Sequence, residues 1–436
     1  MIGKQLYEHA RNKRIPGGAQ LRSKVPELYA PGQWPAYFQS AEGIDIWDVD
    51  GNHYRDWSAH GIGATLLGYR HPDVTAAVRR CIDEGSFSFL NPPEEVELAD
   101  LLCEIHPWAQ CVRFTRSGGE IATVAVRIAR ATTGRSKVAI CGYHGWHDWY
   151  LAANLGGDDS LRFHLLAGIE PKGVPKELQG TAHCFDLNDT NGFDALIDQH
   201  GDDLACIVIE PCRFYDPEPG FLQHVRDRAT RAGVLLLFDE ITIGFRRCLG
   251  GSHLRLGVSP DMAFFAKSLG NGHPIAAVIG TTEAMDGAHE SFISSTYWTE
   301  RVGPTAAVAV LKVMQQIDVP AHVDQMGQRI LQRWQHHIEA TGVPLVVLDK
   351  YTCFPSFDFQ YEQAAELRLF FVQEMLKRGF LSSSSVYVSL AHNEENLAVY
   401  DAAVGEVFAD MAAAIQTGNL EERLDGPLPV KGSARI

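Results

Sequence analysis

The chain has 436 residues, 45% of them hydrophobic, which is enough apolar material for two cores rather than one. Its 38 lysines and arginines stand against 54 aspartates and glutamates, a formal charge of −16 with no basic run to offset it, and this excludes a nucleic-acid or anionic-membrane surface. No segment reads as a membrane span, the polar start MIGKQLYEHARNKR is not a signal peptide, and nine cysteines without a CxxC pair fit reduced thiols, so a cytoplasmic protein is expected.

Residues 2 to 14 are predicted helical, and Pro16, Gly17 and Gly18 end the run. Alternation around Asp50-Gly51 predicts a hairpin, followed by the loop SAHGIGATLLGYRHP, whose glycines do not form a dinucleotide fingerprint. Helices are predicted over 72–84 and 93–105. VRFTRSGGEIATVAVRIAR then reads strand, tight turn, helix. Its turn holds Ser117, Gly118 and Gly119, a helix start that attracts a phosphate and lets the backbone approach it closely. After the strand KVAIC comes GYHGWHD, with Tyr143, His144 and His147. Two histidines three apart with no third ligand nearby make a poor metal site, and no metal is expected. The segment 155–194 reads as surface loop.

ACIVIEP is a buried parallel strand ending at Glu210, and a crossover helix over 220–231 leads back to the next run, Val234 to Phe238. That run delivers Asp239 and Glu240, and the run Asp261 to Ala266 delivers Lys267. In an open parallel sheet both ends face one crevice, with a carboxylate and an amine on opposite sides of one ligand. Pyridoxal phosphate suits this geometry, because its aldehyde needs a lysine and its ring nitrogen an aspartate to keep it protonated. Further on, the C-terminal part is predicted to be an α+β unit of VPLVVLD, CFPSFDF, a helix over 364–378, the strand VYVSL and a helix over 393–415, with a loose tail after Thr417.

FDEITIGFR followed by AKSLGNGHPIAAVIG resembles the class III (subgroup II) aminotransferases, and among them the glutamate-1-semialdehyde aminomutase branch. The resemblance implies an α/β protein of PLP-dependent transferase fold type I. Residues 1–60 would form an arm and hairpin belonging to a small domain, 61–318 a large three-layer α/β/α domain with a mainly parallel sheet, and 319–436 the rest of the smaller α+β domain. It also implies pyridoxal 5'-phosphate, bound as a Schiff base to Lys267, with Asp239 on the ring nitrogen and Ser117, Gly118 and Gly119 at the phosphate. Tyr143, accompanied by His144, would stack on the ring, Ile241 would face its other side, and Glu210 would lie near the ring side away from the lysine. Thr296 would reach the phosphate of the other subunit of a homodimer.

By the same resemblance Arg22, with Lys24 near it, lies on an arm lining the substrate entrance. His60 in the loop HGIGA, and Tyr297, Trp298 and Arg301 in the insert YWTER, complete a polar rim with Gln20. Both stretches depart from the aminomutase, whose Ser-Trp-Gly-Pro and late Phe-Glu-Ala-Gly are missing. The implied activity moves an amino group from an amino-acid donor to a carbonyl acceptor such as a keto-sugar or oxo acid. The alternatives are the aminomutase itself and a non-catalytic relative that keeps the fold.

Overall fold

A computed structural model of the chain describes residues 2–157, 159–162 and 169–430. The chain forms two compact units, one from the segments up to His71 and from Ala321 onward, the other from Pro72 to Pro320. No helix among the described residues is long and apolar enough to cross a membrane.

The second unit is built on seven strands: β1 (Cys111–Thr115), β2 (Lys137–Cys141), β3 (Ala182–Cys184), β4 (Leu204–Ile209), β5 (Leu235–Asp239), β6 (Met262–Phe265) and β7 (Ala276–Gly280). They pair in the order β1-β7-β6-β5-β4-β2-β3. β6, β5, β4, β2 and β3 run parallel to one another, in registers such as Asp239 opposite Phe264 and Ile209 opposite Phe238. β7 alone is antiparallel to both its neighbours, which leaves β1 pointing the same way as the parallel set. Every residue of β4, β6 and β7 is buried, so the unbroken apolar runs seen in the sequence are strands covered on both faces. The helix Gly118–Thr133 contributes Ile121, Ala122, Ala125 and Ile128 to the core against this sheet, and the helix Phe221–Ala232 joins β4 to β5.

One stretch read as surface loop is partly ordered structure. β3 is the sheet's edge strand, parallel to β2, and the helix Thr190–His200 follows with its N-terminus capped by the Asp189 side chain on Gly192 N–H at 2.9 Å. Three strand residues and a helix opening Thr-Asn-Gly carry no periodicity to detect. Residues 158 and 163–168 of that stretch lie outside the described residues.

In the first unit the strands Asp45–Asp48 and His53–Trp57 make the antiparallel hairpin, and Phe38–Glu42 and Phe380–Ser382 complete a four-stranded sheet. The run VYVSL is extended but joins no ladder: Val386 and Val388 N–H donate to Pro355 and Cys353 carbonyls, while Tyr387 N–H donates to Ser58, so its hydrogen bonds are split between two partners. The strand of this region is instead Phe380–Ser382, parallel to His53–Trp57. Asn393 starts the helix Glu394–Thr417 with a reciprocal capping box to Asn396. Trp57 stacks on Tyr400 of that helix at 4.1 Å in this unit's core. Beyond the helix the chain makes a short turn over Glu421–Arg423, and residues 431–436 of the tail expected to be loose lie outside the described residues.

Candidate active site

The strand directions bring five loops to one edge of the seven-stranded sheet. The last residues of β2, β4, β5 and β6 lie there, and β1 ends there too, so the turns after Cys141, Ile209, Asp239, Phe265 and Thr115 share a crevice in the manner of an open α/β sheet.

Asp239 closes β5 and is only 2% exposed. Its Oδ1 accepts from Ile241 N–H at 2.9 Å and its Oδ2 from His144 Nδ1 at 2.8 Å. The other ring nitrogen of His144, Nε2, is buried without a hydrogen-bond partner among the described residues. Lys267 follows β6 on a left-handed backbone with φ of 46°, a strained conformation for a non-glycine residue of the kind that collects at functional sites. Burial, then the guanidinium groups of Arg213 and Arg246, bring its ammonium down to about 8 against the pull of Glu210 and Asp239. Nζ donates to Thr242 Oγ1 at 3.0 Å.

Glu210 is buried at the end of β4. It accepts from Tyr143 N–H at 3.0 Å and from Arg213 Nη1 at 2.9 Å, so it fastens the loop that carries Tyr143. Burial raises its carboxyl above the usual range, with Arg213 opposing. The Arg213 guanidinium lies 5.9 Å from the Tyr143 ring centre.

The turn after β1 shows why two glycines stand together. A Cβ on Gly118 would come within 3.0 Å of Ile241 Cδ1, and one on Gly119 within 2.7 Å of His147 Cε1. The helix Gly118–Thr133 therefore begins with bare backbone, and its first N–H groups have no partners inside the helix. Ser117 Oγ donates to Glu120 Oε2 at 2.9 Å, and Arg116 N–H to the same oxygen at 3.2 Å.

The insert expected at a substrate rim is partly spent on this turn and on the neighbouring helices. Trp298 Nε1 donates to Glu120 Oε1 at 3.2 Å, Arg116 Nε donates to Glu300 at 3.1 Å, and Arg301 holds Glu94 at 2.8 Å and Glu84 at 2.9 Å. Trp298 and Arg301 thus brace neighbouring segments, whereas Thr296 is exposed and Tyr297 is 70% exposed. His60 differs from its expected place at a rim. It is 1% exposed, stacked on Tyr69 at 4.5 Å, with Nδ1 on Thr65 Oγ1 at 2.6 Å and Nε2 3.3 Å from Ser389 Oγ, inside the first unit's polar core. Arg22 is half-buried in the short turn Arg22–Lys24 of the same unit. Arg213 and Thr242 escaped the sequence reading, although both lie within three residues of a residue it singled out.

These residues fit pyridoxal phosphate. Its aldehyde requires an amine of lowered basicity, its ring nitrogen a buried carboxylate, and its phosphate a helix start open enough for close approach, and one edge of the sheet carries Lys267, Asp239 and Ser117-Gly118-Gly119. The family model of the class-III aminotransferases matches residues 29–411, and the chain belongs to that family. It is 31% identical over 421 residues to a 3-aminobutyryl-CoA aminotransferase of Cloacimonas acidaminovorans (strain Evry), covering 93% of this chain and 96% of the relative. It is 30% identical over 389 residues to a 2'-deamino-2'-hydroxyneamine transaminase of Streptomyces kanamyceticus, covering 86% and 92%. Among solved structures, the FumI protein of Sphingopyxis sp. MTA144 with PLP superimposes with a TM-score of 0.85 at 23% identity, over 95% of this chain and 97% of that one. The chain is a PLP-dependent aminotransferase of fold type I, which takes an amino donor and a carbonyl acceptor.

Proposed function

We propose that the crevice at the β5 and β6 ends carries out intermolecular amino transfer to a polar carbonyl acceptor, with Lys267 and Asp239 as its catalytic residues. The observation that carries this reading is the pairing at one sheet edge of a buried carboxylate, oriented by His144, with an amine whose basicity is lowered to about 8. The bound cofactor supplies an electron sink for the carbanion left when the substrate carbon loses its proton. Asp239 holds the proton on the ring nitrogen, and the His144 Nδ1 hydrogen bond fixes the carboxylate for that task. Lys267 Nζ is the covalent anchor, and when released it takes the proton from the substrate carbon, which requires the neutral amine. Glu210 holds the Tyr143 loop, Tyr143 and Ile241 would line the ring, and the N–H groups of Ser117, Gly118 and Gly119 would hold the phosphate.

Within the class we place the chain on the aminomutase-like side by its FDEITIGFR and AKSLGNGHP motifs, but read its reaction as intermolecular, because the HGIGA and YWTER stretches depart from the aminomutase. The two relatives are named for polar amino compounds, one CoA-linked and the other a neamine derivative, and the carbonyl counterpart of such an amine is a polar acceptor. We assign Tyr297 to the acceptor's rim. We also propose a homodimer, supported by the exposed apolar side chains of Phe87, Phe89, Leu90 and Phe292, with Phe87 5.8 Å from the Tyr297 ring beside Thr296, which would serve the partner's phosphate.

The test is a half-reaction. Glutamate or alanine should convert the cofactor of the wild-type protein to its amine form, and Lys267→Ala should abolish this. A Lys267→Ala protein that reacts at the wild-type rate overturns the assignment. Rapid conversion of glutamate-1-semialdehyde to 5-aminolevulinate without an added donor overturns the intermolecular reading alone.

A further inference from the structure

The turn after Asp239 carries a hydroxyl that none of the roles above uses. Thr242 is buried, and its Oγ1 accepts from Lys267 Nζ at 3.0 Å. The backbone beneath it is fixed on several sides. Arg246 Nε donates to the Thr242 carbonyl at 2.9 Å, Gly244 N–H to the Glu240 carbonyl at 2.8 Å, and Phe245 N–H to the Gly250 carbonyl at 2.8 Å. The lysine is equally fixed by its left-handed backbone. Donor and acceptor are therefore both placed by the fold before any ligand arrives.

An amine that anchors a cofactor and then works free has to be held in between. A carboxylate partner would keep it an ammonium, unable to take a proton, and an apolar wall would leave its N–H groups unmatched. The nearby acids are otherwise engaged, Asp239 with His144 and Ile241 N–H, and Glu210 with Arg213 and Tyr143 N–H. A hydroxyl both accepts and donates, so it can serve the amine with or without the extra proton. We propose that Thr242 is a positioning residue that receives the released Lys267 amine and holds Nζ in place for proton transfer. This rests on the aminotransfer reading above and adds to it the residue that sets where the proton carrier stands.

The experiment compares wild-type, Thr242→Val and Thr242→Ser holoenzymes. Thr242→Val should lower kcat of the donor half-reaction about ten- to hundredfold, the rate equivalent of one hydrogen bond to a charged group, with KM little changed. Thr242→Ser should restore most of the rate. In the cofactor-free proteins, acetylation of Lys267 followed against pH by mass spectrometry reads its basicity directly. The midpoint should fall by about one pH unit in Thr242→Val, because the ammonium has lost an acceptor, and stay in place in Thr242→Ser. Wild-type kcat and an unmoved Lys267 midpoint in Thr242→Val overturn the inference. So does a loss that Thr242→Ser fails to restore. If Thr242→Val does not fold, Thr242→Ala is read by the same two measurements. An active Lys267→Ala protein overturns the aminotransfer reading itself, whereas an inactive one beside an unaffected Thr242→Val overturns only this proposal.

Discussion

Asp239 and Glu240 are adjacent carboxylates at the end of β5, each buried and each 2.8 Å from a histidine Nδ1, yet their surroundings differ. Glu240 accepts from Ser252 N–H, Ser252 Oγ, His253 N–H and His253 Nδ1. The far side of that imidazole is used as well, since His253 Nε2 accepts from Trp108 Nε1 at 3.0 Å, and His106 Nε2 accepts from Gly251 N–H at 2.9 Å. Burial pushes the Glu240 carboxyl up, but the His253 hydrogen bond and the backbone donors outweigh it and hold it below the usual range. At Asp239 the shell is left open, with His144 Nε2 unpartnered among the described residues. A saturated buried acid is an anchor, and an open one beside a strained lysine is a place for chemistry.

Substitutions can separate the two. Asp239→Asn should cost roughly 10²–10⁴-fold in kcat, the range for losing a positioned acid–base function, with little change in thermal stability. Glu240→Gln should do the reverse, lowering stability by about 1–3 kcal/mol because the amide nitrogen cannot accept from the buried Ser252 and His253 donors and leaves some of them unpaired, while activity per folded molecule persists. Equal effects of the two on kcat would erase the distinction.

Acid should attack the anchor. Burial holds His106 down to about 4, so its folded value lies below the unfolded one. Between about pH 6.5 and 4 the unfolded chain binds a proton that the folded chain refuses, so stability present at neutral pH is lost on acidification, by up to about 3 kcal/mol from this group. Urea midpoints that stay level from pH 6.5 to 4 would contradict this. At the chemical pair the sign is read from Lys267. Only its neutral form attacks the aldehyde, so the rate at which cofactor-free protein takes up pyridoxal phosphate should rise about tenfold per pH unit and level off above about 8. A rate independent of pH from 6 to 8 would place the amine in another environment.

The contrast between the two carboxylates also marks what the sequence could show. Asp239 and Lys267 were legible because each ends a run of buried strand, and a parallel sheet must bring such ends together. Their neighbours were not. Thr242 and Arg213 sit in turns without periodicity, and their reach to Lys267 and Glu210 depends on tertiary geometry. Trp298 and Arg301 looked available because an aromatic and charged insert resembles a binding rim, whereas their partners Glu120, Glu94 and Glu84 lie some 180 to 220 residues away in sequence. His60 looked loop-like and polar, and its burial comes from Tyr69 stacking and the Thr65 and Ser389 hydroxyls.

The most direct measurement is reduction of the purified holoprotein with borohydride followed by peptide mapping. The account predicts a stable pyridoxyl group on Lys267, in the peptide that follows β6. A label on any other lysine, or a protein that binds the cofactor yet gives no label, would contradict it.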